Sequence, residues 1–520
     1  MTKMAKVHGI NGPVVTVQGG QFAVSEMVKI AELRGEVIAI NGKTTTVQVY
    51  ENTAGLRPGT EVTGTGQPMS VTLQPGIVGH IFDGIMRPLE KEENQLVEKC
   101  HQLKNQPVVK SHQLKFQTNI TVPKGQHLSP GNIFAEVAET PLITYKAMVP
   151  PNISGTVTDI SQGAEFTATE PIISLDSGQT LSLSQQWPIR TPRPVTARLP
   201  LSQPLVTGQR VIDTFFPLAK GGVAAIPGGF GTGKTMTQHQ LAKWCDADLI
   251  VYIGCGERGN EMTEVLEDFA RLTDPKNGQP LLNRTVLIAN TSDMPVAARE
   301  ASIYTGLTIA ECYRDMGYHV AIMADSTSRW AEALRELSGR LGEIPAEEGY
   351  PAYLATRLAA FYGRAGYVTN LNGTEGSITI VGAVSPQGGD FSEPVTQNTK
   401  RFISCYWALD RRLAYARHFP AICWMNSYSN YLPQLAKWYE SNVSPHFAAL
   451  RDKAMAILLE ENTLEEIRKL VGTDELTTKQ KETLALARRL RVEFLQQNAY
   501  DKNDMYMPPK GQYELLRSIL

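Results

Sequence analysis

The sequence predicts an α/β fold built around a phosphate-binding loop, preceded by a small β-barrel and a β-rich block and followed by helices. Three observations predict it. Residues 228–235 read Gly-Gly-Phe-Gly-Thr-Gly-Lys-Thr, a complete G-x-x-x-x-G-K-[ST] loop. From about 205 to 430, apolar strand-like runs alternate with helix-compatible stretches. The first 75 residues are instead short β-rich runs separated by glycine turns, and the last 90 turn helical.

The expected domains are 1–75 (β-barrel), 92–186 (inserted β-rich block), 76–91 with 187–430 (phosphate-loop domain) and 431–520 (helical). In the first, Val14 to Val17 follows Gly12-Pro13 as a strand. Glu36 to Ile40, Asn41-Gly42 and Thr44 to Tyr50 form a hairpin pattern, because Asn-Gly suits the positive φ angles of a two-residue turn. Short strands with such turns suit a small barrel. The second block opens with a polar, helix-compatible stretch, Glu90 to Gln106. It continues through turns at Pro123-Lys124-Gly125, Pro130-Gly131 and Ser154-Gly155. Nothing in it reads as catalytic; a docking surface and a spacer both fit. Prolines 188, 192, 194, 200 and 204 mark an ordered linker. Strands are then expected at Val223–Ile226, Leu249–Ile253, Val286–Ala289, Val320–Ala324 and Ile378–Val381, in a mostly parallel sheet with helices on both faces. Near the end, Thr463-Leu464-Glu465-Glu466 has the form of a capping box, predicting a helix start there. Leu484, Ala487, Leu490 and Phe494 keep helical spacing in a second helix.

Composition excludes several classes. At 520 residues the chain is too long for one core. A net charge of −2 argues against a general polyanion binder. The six cysteines have no C-x-x-C spacing and the nine histidines no ligand spacing, so thiols of a reducing compartment are expected, not a zinc site. No basic leader precedes an apolar run, and no stretch approaches the ~20 apolar residues that span a bilayer. Any work at a membrane runs through partners.

The loop carries the chemistry. Val223 to Ile226 leads in as a strand, and Met236 to Trp244 leads out as a helix. In that context Gly228, Gly229, Phe230, Gly231, Thr232 and Gly233 curl backbone N–H groups around phosphate oxygens at a helix N-terminus. Lys234 is placed to bridge the β- and γ-phosphates, and Thr235 to ligate Mg²⁺ through its hydroxyl. The chain therefore binds a nucleoside triphosphate. Tyr318 to Asp325 is an apolar strand ending in an acid, the form of a Walker B element, with Asp325 as the Mg²⁺ carboxylate. Leu249 to Ile253 runs into Gly254-Cys255-Gly256-Glu257-Arg258-Gly259-Asn260-Glu261. At the end of a strand, Glu257 can orient the attacking water and Arg258 can contact the γ-phosphate. Glu261 is the rival carboxylate. An arginine finger is needed as well, and Arg329, Arg335 and Arg340 are among the candidates.

Several segments extend beyond short motifs. Gly208 to Gly222 (GQRVIDTFFPLAKGG), Gly254 to Glu261 (GCGERGNE), Ala289 to Tyr304 (ANTSDMPVAAREASIY), Ala324 to Glu336 (ADSTSRWAEALRE) and Ser385 to Thr399 (SPQGGDFSEPVTQNT) resemble the catalytic A subunit of the V/A-type rotary ATPases, over nearly the whole chain. The resemblance implies a RecA-like core. It makes the block at 92–186 the family's inserted bulge. It implies three A and three B subunits alternating around a central stalk of D/F-type subunits, with ATP at A–B interfaces and the arginine finger supplied by B. It also implies a peripheral stalk at the N-terminal and bulge region, and a place on the cytoplasmic face of the membrane. By the same resemblance Lys234, Glu257 and Arg258 are catalytic, Thr235 and Asp325 hold Mg²⁺, and Phe419, Pro420, Gln497 and Tyr500 form the adenine pocket for ATP or ADP.

The sequence departs from the family pattern in places. Gly229 stands where the family carries proline, predicting a looser backbone and weaker nucleotide binding. Eukaryotic members carry cysteine where Thr232 stands, so disulfide control of the loop is not expected. The start of the bulge, Lys91 to Gln117, diverges and reads as shortened. Leu520 comes earlier than expected, so a reduced C-terminal helical domain is predicted. Two other classes compete. A hexameric nucleic-acid translocase predicts a basic, aromatic N-terminal surface, yet the first 75 residues hold one Tyr and one Phe. No nucleic-acid partner is therefore expected. A non-catalytic assembly protein conflicts with the intact Lys234, Thr235, Glu257 and Asp325 set. Ion choice, H⁺ or Na⁺, lies outside the chain.

Overall fold

The computed structural model describes residues 4–89, 114–472 and 476–520. The helix expected over Glu90 to Gln106, and most of the divergent bulge start, lie outside them. The chain divides into two compact units. One is Met1–Arg198, Asp248–Arg364 and Val368–Ile378; the other is Leu199–Ala247, Ala365–Tyr367 and Thr379–Leu520.

The first unit opens with a closed six-stranded barrel. Its strands, in order around the wall, are Met4–Asn11, Val14–Gln18, Thr44–Val49, Leu33–Asn41, Glu26–Ile30 and Glu61–Pro68. The hairpin at Asn41-Gly42 pairs Asn41 with Thr44, and Gly42 has φ +62°, as the turn requires. Alternating valines and isoleucines (Val15, Val17, Val28, Ile30, Val37, Val47) point inward and fill the barrel. The β-rich block forms two four-stranded sheets between Lys115 and Leu181.

The same unit carries parallel strands His319–Asp325, Leu249–Cys255, Thr285–Asn290 and Ile81–Phe82, in that spatial order. Every residue of Leu249–Cys255 and Thr285–Asn290 is buried, as expected of strands covered on both faces. Helix Val296–Asp315 packs on them. The register sets Gly254 opposite Asp325 and Cys255 opposite Asn290. The chain leaving Cys255 therefore emerges beside Asp325.

In the second unit, Val223–Pro227 pairs in parallel with Cys405–Tyr406 and with the end of Glu375–Val384, Val223 opposite Ile380. Helix Lys234–Trp244 follows it, and the chain ends in helices Leu432–Asn442, Phe447–Val471, Thr478–Arg489 and Pro509–Ile519.

One expectation is corrected. Thr463 does not start a helix; Phe447–Val471 runs through it unbroken. Ala454, Leu458, Glu461 and Leu464 are buried along one stripe that crosses the supposed start, and Glu465 pairs with Arg468 within the helix. A true capping box opens the next helix. Thr477 accepts from the Gln480 backbone N–H, and Gln480 Oε1 accepts from the Thr477 N–H at 2.9 Å.

Candidate functional site

The phosphate loop lies in the second unit between strand Val223–Pro227 and helix Lys234–Trp244. Gly231 (φ +75°) and Gly233 (φ +91°) take left-handed backbone, which turns the chain onto the helix N-terminus. Gly228 is required for space: a Cβ there would lie 2.5 Å from Thr232 Oγ1 and 2.9 Å from Leu409 Cβ. Thr232 is buried, and its hydroxyl donates to the Gly229 carbonyl at 2.8 Å. Gly229 has a different surrounding. The space beside it is bordered by the Arg411 guanidinium, with Nε 3.2 Å from where a Cβ would stand. Lys234 Nζ donates to the carbonyls of Gly228 (2.7 Å) and Gly229 (3.0 Å), which holds the ammonium inside the loop. Phe230 is exposed at the tip, and Thr235 lies in the first turn of the helix.

Beside the loop is a cavity of about 490 Å³, within the range of small-molecule sites. It brings together Gly231 and Gly233 of the loop, Met236 of the following helix, and the predicted Phe419, Pro420, Gln497 and Tyr500. The Phe419 carbonyl accepts from the Gln497 backbone N–H at 2.8 Å, and the Phe419–Pro420 peptide bond is cis. Phe419 is 41% exposed and Tyr500 81% exposed, so both rings offer free faces. Gln497 differs. It is buried, its Oε1 accepts from the Arg210 N–H, and its Nε2 donates to the carbonyls of Gly208 and Asp504. The amide is wholly taken up by the protein, so Gln497 builds the wall. Arg417 also lines the cavity, and no sequence motif singles it out.

Glu257, Arg258 and Asp325 belong to the first unit. Asp325 is buried at the end of its strand and accepts from the Tyr252 hydroxyl at 3.2 Å. Burial and the Asp325 charge raise the Tyr252 pKa well above its ordinary value. Glu257 is half-buried, and its carboxyl is pushed up to about 7. Burial is the main cause, followed by the Asp325 charge and a hydrogen bond with Glu261; Arg329 and Ser326 oppose them. Arg329 pairs with Glu332 at 2.9 Å. Gly256 (φ +74°) lets Arg329 and Arg299 pack against the backbone just before Glu257: a Cβ there would lie 2.7 Å from Arg329 Cβ and 3.0 Å from Arg299 Cδ. Arg258 is exposed at the N-cap of helix Gly259–Arg271. Tyr252 and Arg299 are the site residues that sequence reasoning misses. Arg299 contributes a buried Nε with no hydrogen-bond partner among the described residues; its only signal is its place within Ala289 to Tyr304. Arg335 faces the Tyr350 ring and Arg340 pairs with Glu336.

Among the described residues no group of three or more His, Cys, Asp or Glu is arranged to hold a metal. None of the five described cysteines forms a disulfide. No helix among the described residues is long and apolar enough to cross a membrane.

Comparison with known proteins extends over nearly the whole chain. Residues 208–429 match the ATP synthase alpha/beta family nucleotide-binding domain, and 436–520 match the C-terminal domain of V and A type ATP synthase. The alpha/beta subunit barrel-sandwich domain matches 107–190 and the beta-barrel domain 7–66. The V-type ATP synthase alpha chain 2 of Clostridium tetani is 58% identical over 519 residues, covering 99% of this chain and 88% of that one. The chain belongs to the V/A-type ATP synthase alpha-chain family. The V-type ATP synthase alpha chain of Halothermothrix orenii is 54% identical over 531 residues, covering 100% of this chain and 89% of its own. Among solved structures, the assembled ATPase EscN of the enteropathogenic E. coli type III secretion system aligns with a TM-score of 0.72 over 99% of both chains. At 21% identity that likeness shows the V/A-type chain's fold and nothing finer.

Proposed function

We propose that this chain is the catalytic subunit of a V/A-type rotary ATPase. It binds ATP and ADP and couples hydrolysis or synthesis of ATP to rotation and to H⁺ or Na⁺ transport across a membrane. It works in an alternating hexamer with a B-type partner, on D/F-type central-stalk subunits and a peripheral stalk. Membrane attachment on the cytoplasmic face comes through those partners. The observation that carries this reading is the phosphate loop, with Lys234 held inside it, opening on a cavity lined by Phe419, Pro420 and Tyr500.

In this reading the aromatic faces take the adenine. The loop N–H groups take the phosphates, and Lys234 exchanges its two carbonyl partners for β- and γ-phosphate oxygens. Glu257 orients a water for in-line attack on the γ-phosphorus, Arg258 contacts the same phosphate, and an arginine from the B-type partner completes the charge stabilisation. The water oxygen bonds to phosphorus as the bond to the β–γ bridging oxygen breaks, releasing ADP and phosphate. Thr235 and Asp325 are hard oxygen donors, a set that fits Mg²⁺ accompanying the nucleotide. That ion neutralises phosphate charge when bound. Glu257 must be ionised to accept from the water, so its raised pKa sets the acid limb of activity.

The test is MgATP hydrolysis by the chain alone and after co-expression with a B-type partner. The expected result is turnover that requires the partner. Tight nucleotide binding without turnover in the complex refutes a catalytic role.

A further inference from the structure

The cavity wall formed by residues 496–500 contains no helix or strand. Irregular backbone does not hold itself in place; its position is set by what its polar groups bond to. Here the Gln496 carbonyl at the start of the wall, the Phe494 carbonyl before it and the Asp504 carboxylate beyond it meet on one side chain, while the Gln497 N–H is held by the Phe419 carbonyl. Arg210 is 3% exposed and lies just before Val211–Phe215, in a different part of the sequence. Its Nε donates to the Phe494 carbonyl at 2.7 Å. Its two terminal nitrogens donate to the Gln496 carbonyl and the Asp504 carboxylate, each at 2.5 Å. Its backbone N–H donates to Gln497 Oε1 at 2.8 Å. Asp504 returns the contact: its other oxygen accepts from the Asn498 N–H at 2.7 Å.

We infer that Arg210 is a positioning residue for base recognition: its guanidinium fixes the 496–500 wall of the nucleotide pocket without touching the nucleotide. This rests on the reading that the cavity receives the base. The planar fork matters. Three acceptors in three directions require the several fixed donors of a guanidinium, and the compact ammonium of lysine cannot reach all three. The neighbouring straps act mainly beyond the wall, reaching it through the Gly208 carbonyl, which accepts from Gln497 Nε2. Asp213 accepts from Thr207, Gly208 and Gln512 and so anchors the Pro509–Ile519 helix, and Gln209 Nε2 holds the Met505 carbonyl. The phosphate loop is tied to itself instead, by Thr232 and Lys234 bonding to the Gly228 and Gly229 carbonyls. Loss of Arg210 therefore weakens the base side of the pocket and leaves the phosphate side intact.

The experiment is calorimetric titration of the full chain with MgATP and with magnesium tripolyphosphate, which lacks base and sugar. Arg210→Ala is expected to raise the Kd for MgATP about tenfold or more, the scale of losing one or two buried charge-assisted hydrogen bonds. The tripolyphosphate Kd stays within about twofold of wild type on the same scale. Arg210→Lys gives the same split, because charge without the fork does not rescue. If Arg210→Ala does not fold, Asp504→Asn, at a partly exposed position, decides. It is expected to weaken MgATP about threefold, again without moving tripolyphosphate. An unchanged MgATP Kd overturns the inference, and so does parallel weakening of both ligands. Phe419→Ala separates the underlying reading: if it leaves the MgATP Kd unchanged, the cavity does not take the base.

Discussion

Replacing Glu257 by glutamine should make the nucleotide-free protein more stable at alkaline pH while it slows turnover severely. The folded structure pushes this carboxyl from 4.5 to about 7, chiefly by burial and next by the Asp325 charge. For an acid with a raised folded pKa, ionisation is resisted in the folded state only. The cost is absent below the unfolded pKa, grows between about 4.5 and 7, and is fully present above 7. A shift of this size corresponds to about 3 kcal/mol if the site is dry. Glu257 is half-buried, so solvent screening lowers the figure to about 1–2 kcal/mol. Glutamine keeps the shape and cannot ionise. The stability gain of Glu257→Gln over wild type should therefore be larger at pH 8 than at pH 5, by about 1 kcal/mol or more. Scanning calorimetry of both proteins at both pH values, without nucleotide or Mg²⁺, reads it. Using the difference between two pH values cancels any pH-independent change in hydrogen bonding to Ser326 or Glu261. A gain equal at the two pH values would refute the claim that the structure resists ionisation of this group.

With Glu257 orienting the water, as proposed, kcat/KM for MgATP in the assembled complex should follow an acid limb, falling about tenfold per pH unit once the pH drops well below 7. Arg329→Ala removes a neighbouring positive charge that lowers the Glu257 pKa and should move that limb to higher pH; a stationary limb contradicts the assignment. The two adjacent loop glycines should respond differently. Gly228→Ala places a Cβ 2.5 Å from Thr232 Oγ1 and should abolish nucleotide binding in a titration, whereas Gly229→Ala meets only the movable end of Arg411 and should bind MgATP. Gly229→Pro should stabilise the folded chain against thermal unfolding by about 0.4–1 kcal/mol, because proline lowers the backbone entropy of the unfolded chain. Equal behaviour of the alanine variants would mean the loop is not packed as described.

Much of this architecture was legible in the sequence because local chemistry and tertiary structure agree. Asn41-Gly42 suits only a tight turn, and the runs on each side had the length and alternation of paired strands. The phosphate loop was readable because its glycines and lysine serve a backbone conformation that few sequences support. The capping pattern at Thr463 misled for a physical reason: Thr-x-x-Glu also arises inside a helix, and only the buried stripe from Ala454 to Leu464 shows that the helix is already under way. Three further features lay beyond reach. The consumption of the Gln497 amide depends on Arg210, Gly208 and Asp504, which are far from it or separated by irregular chain. The proton affinity of Glu257 depends on a register that sets Gly254 opposite Asp325. Arg299 carries no motif of its own, and the burial of its Nε depends on how helix Val296–Asp315 packs on the strands.

The most direct test of the central claim is the comparison of wild type with Glu257→Gln in the complex with a B-type partner, measuring MgATP affinity and steady-state hydrolysis on the same preparation. Near-wild-type affinity is expected, because the loop and cavity are untouched. Turnover should fall by about a hundredfold or more, the scale of losing a group that positions the nucleophile. Hydrolysis by the glutamine variant at the wild-type rate would contradict a catalytic role for Glu257.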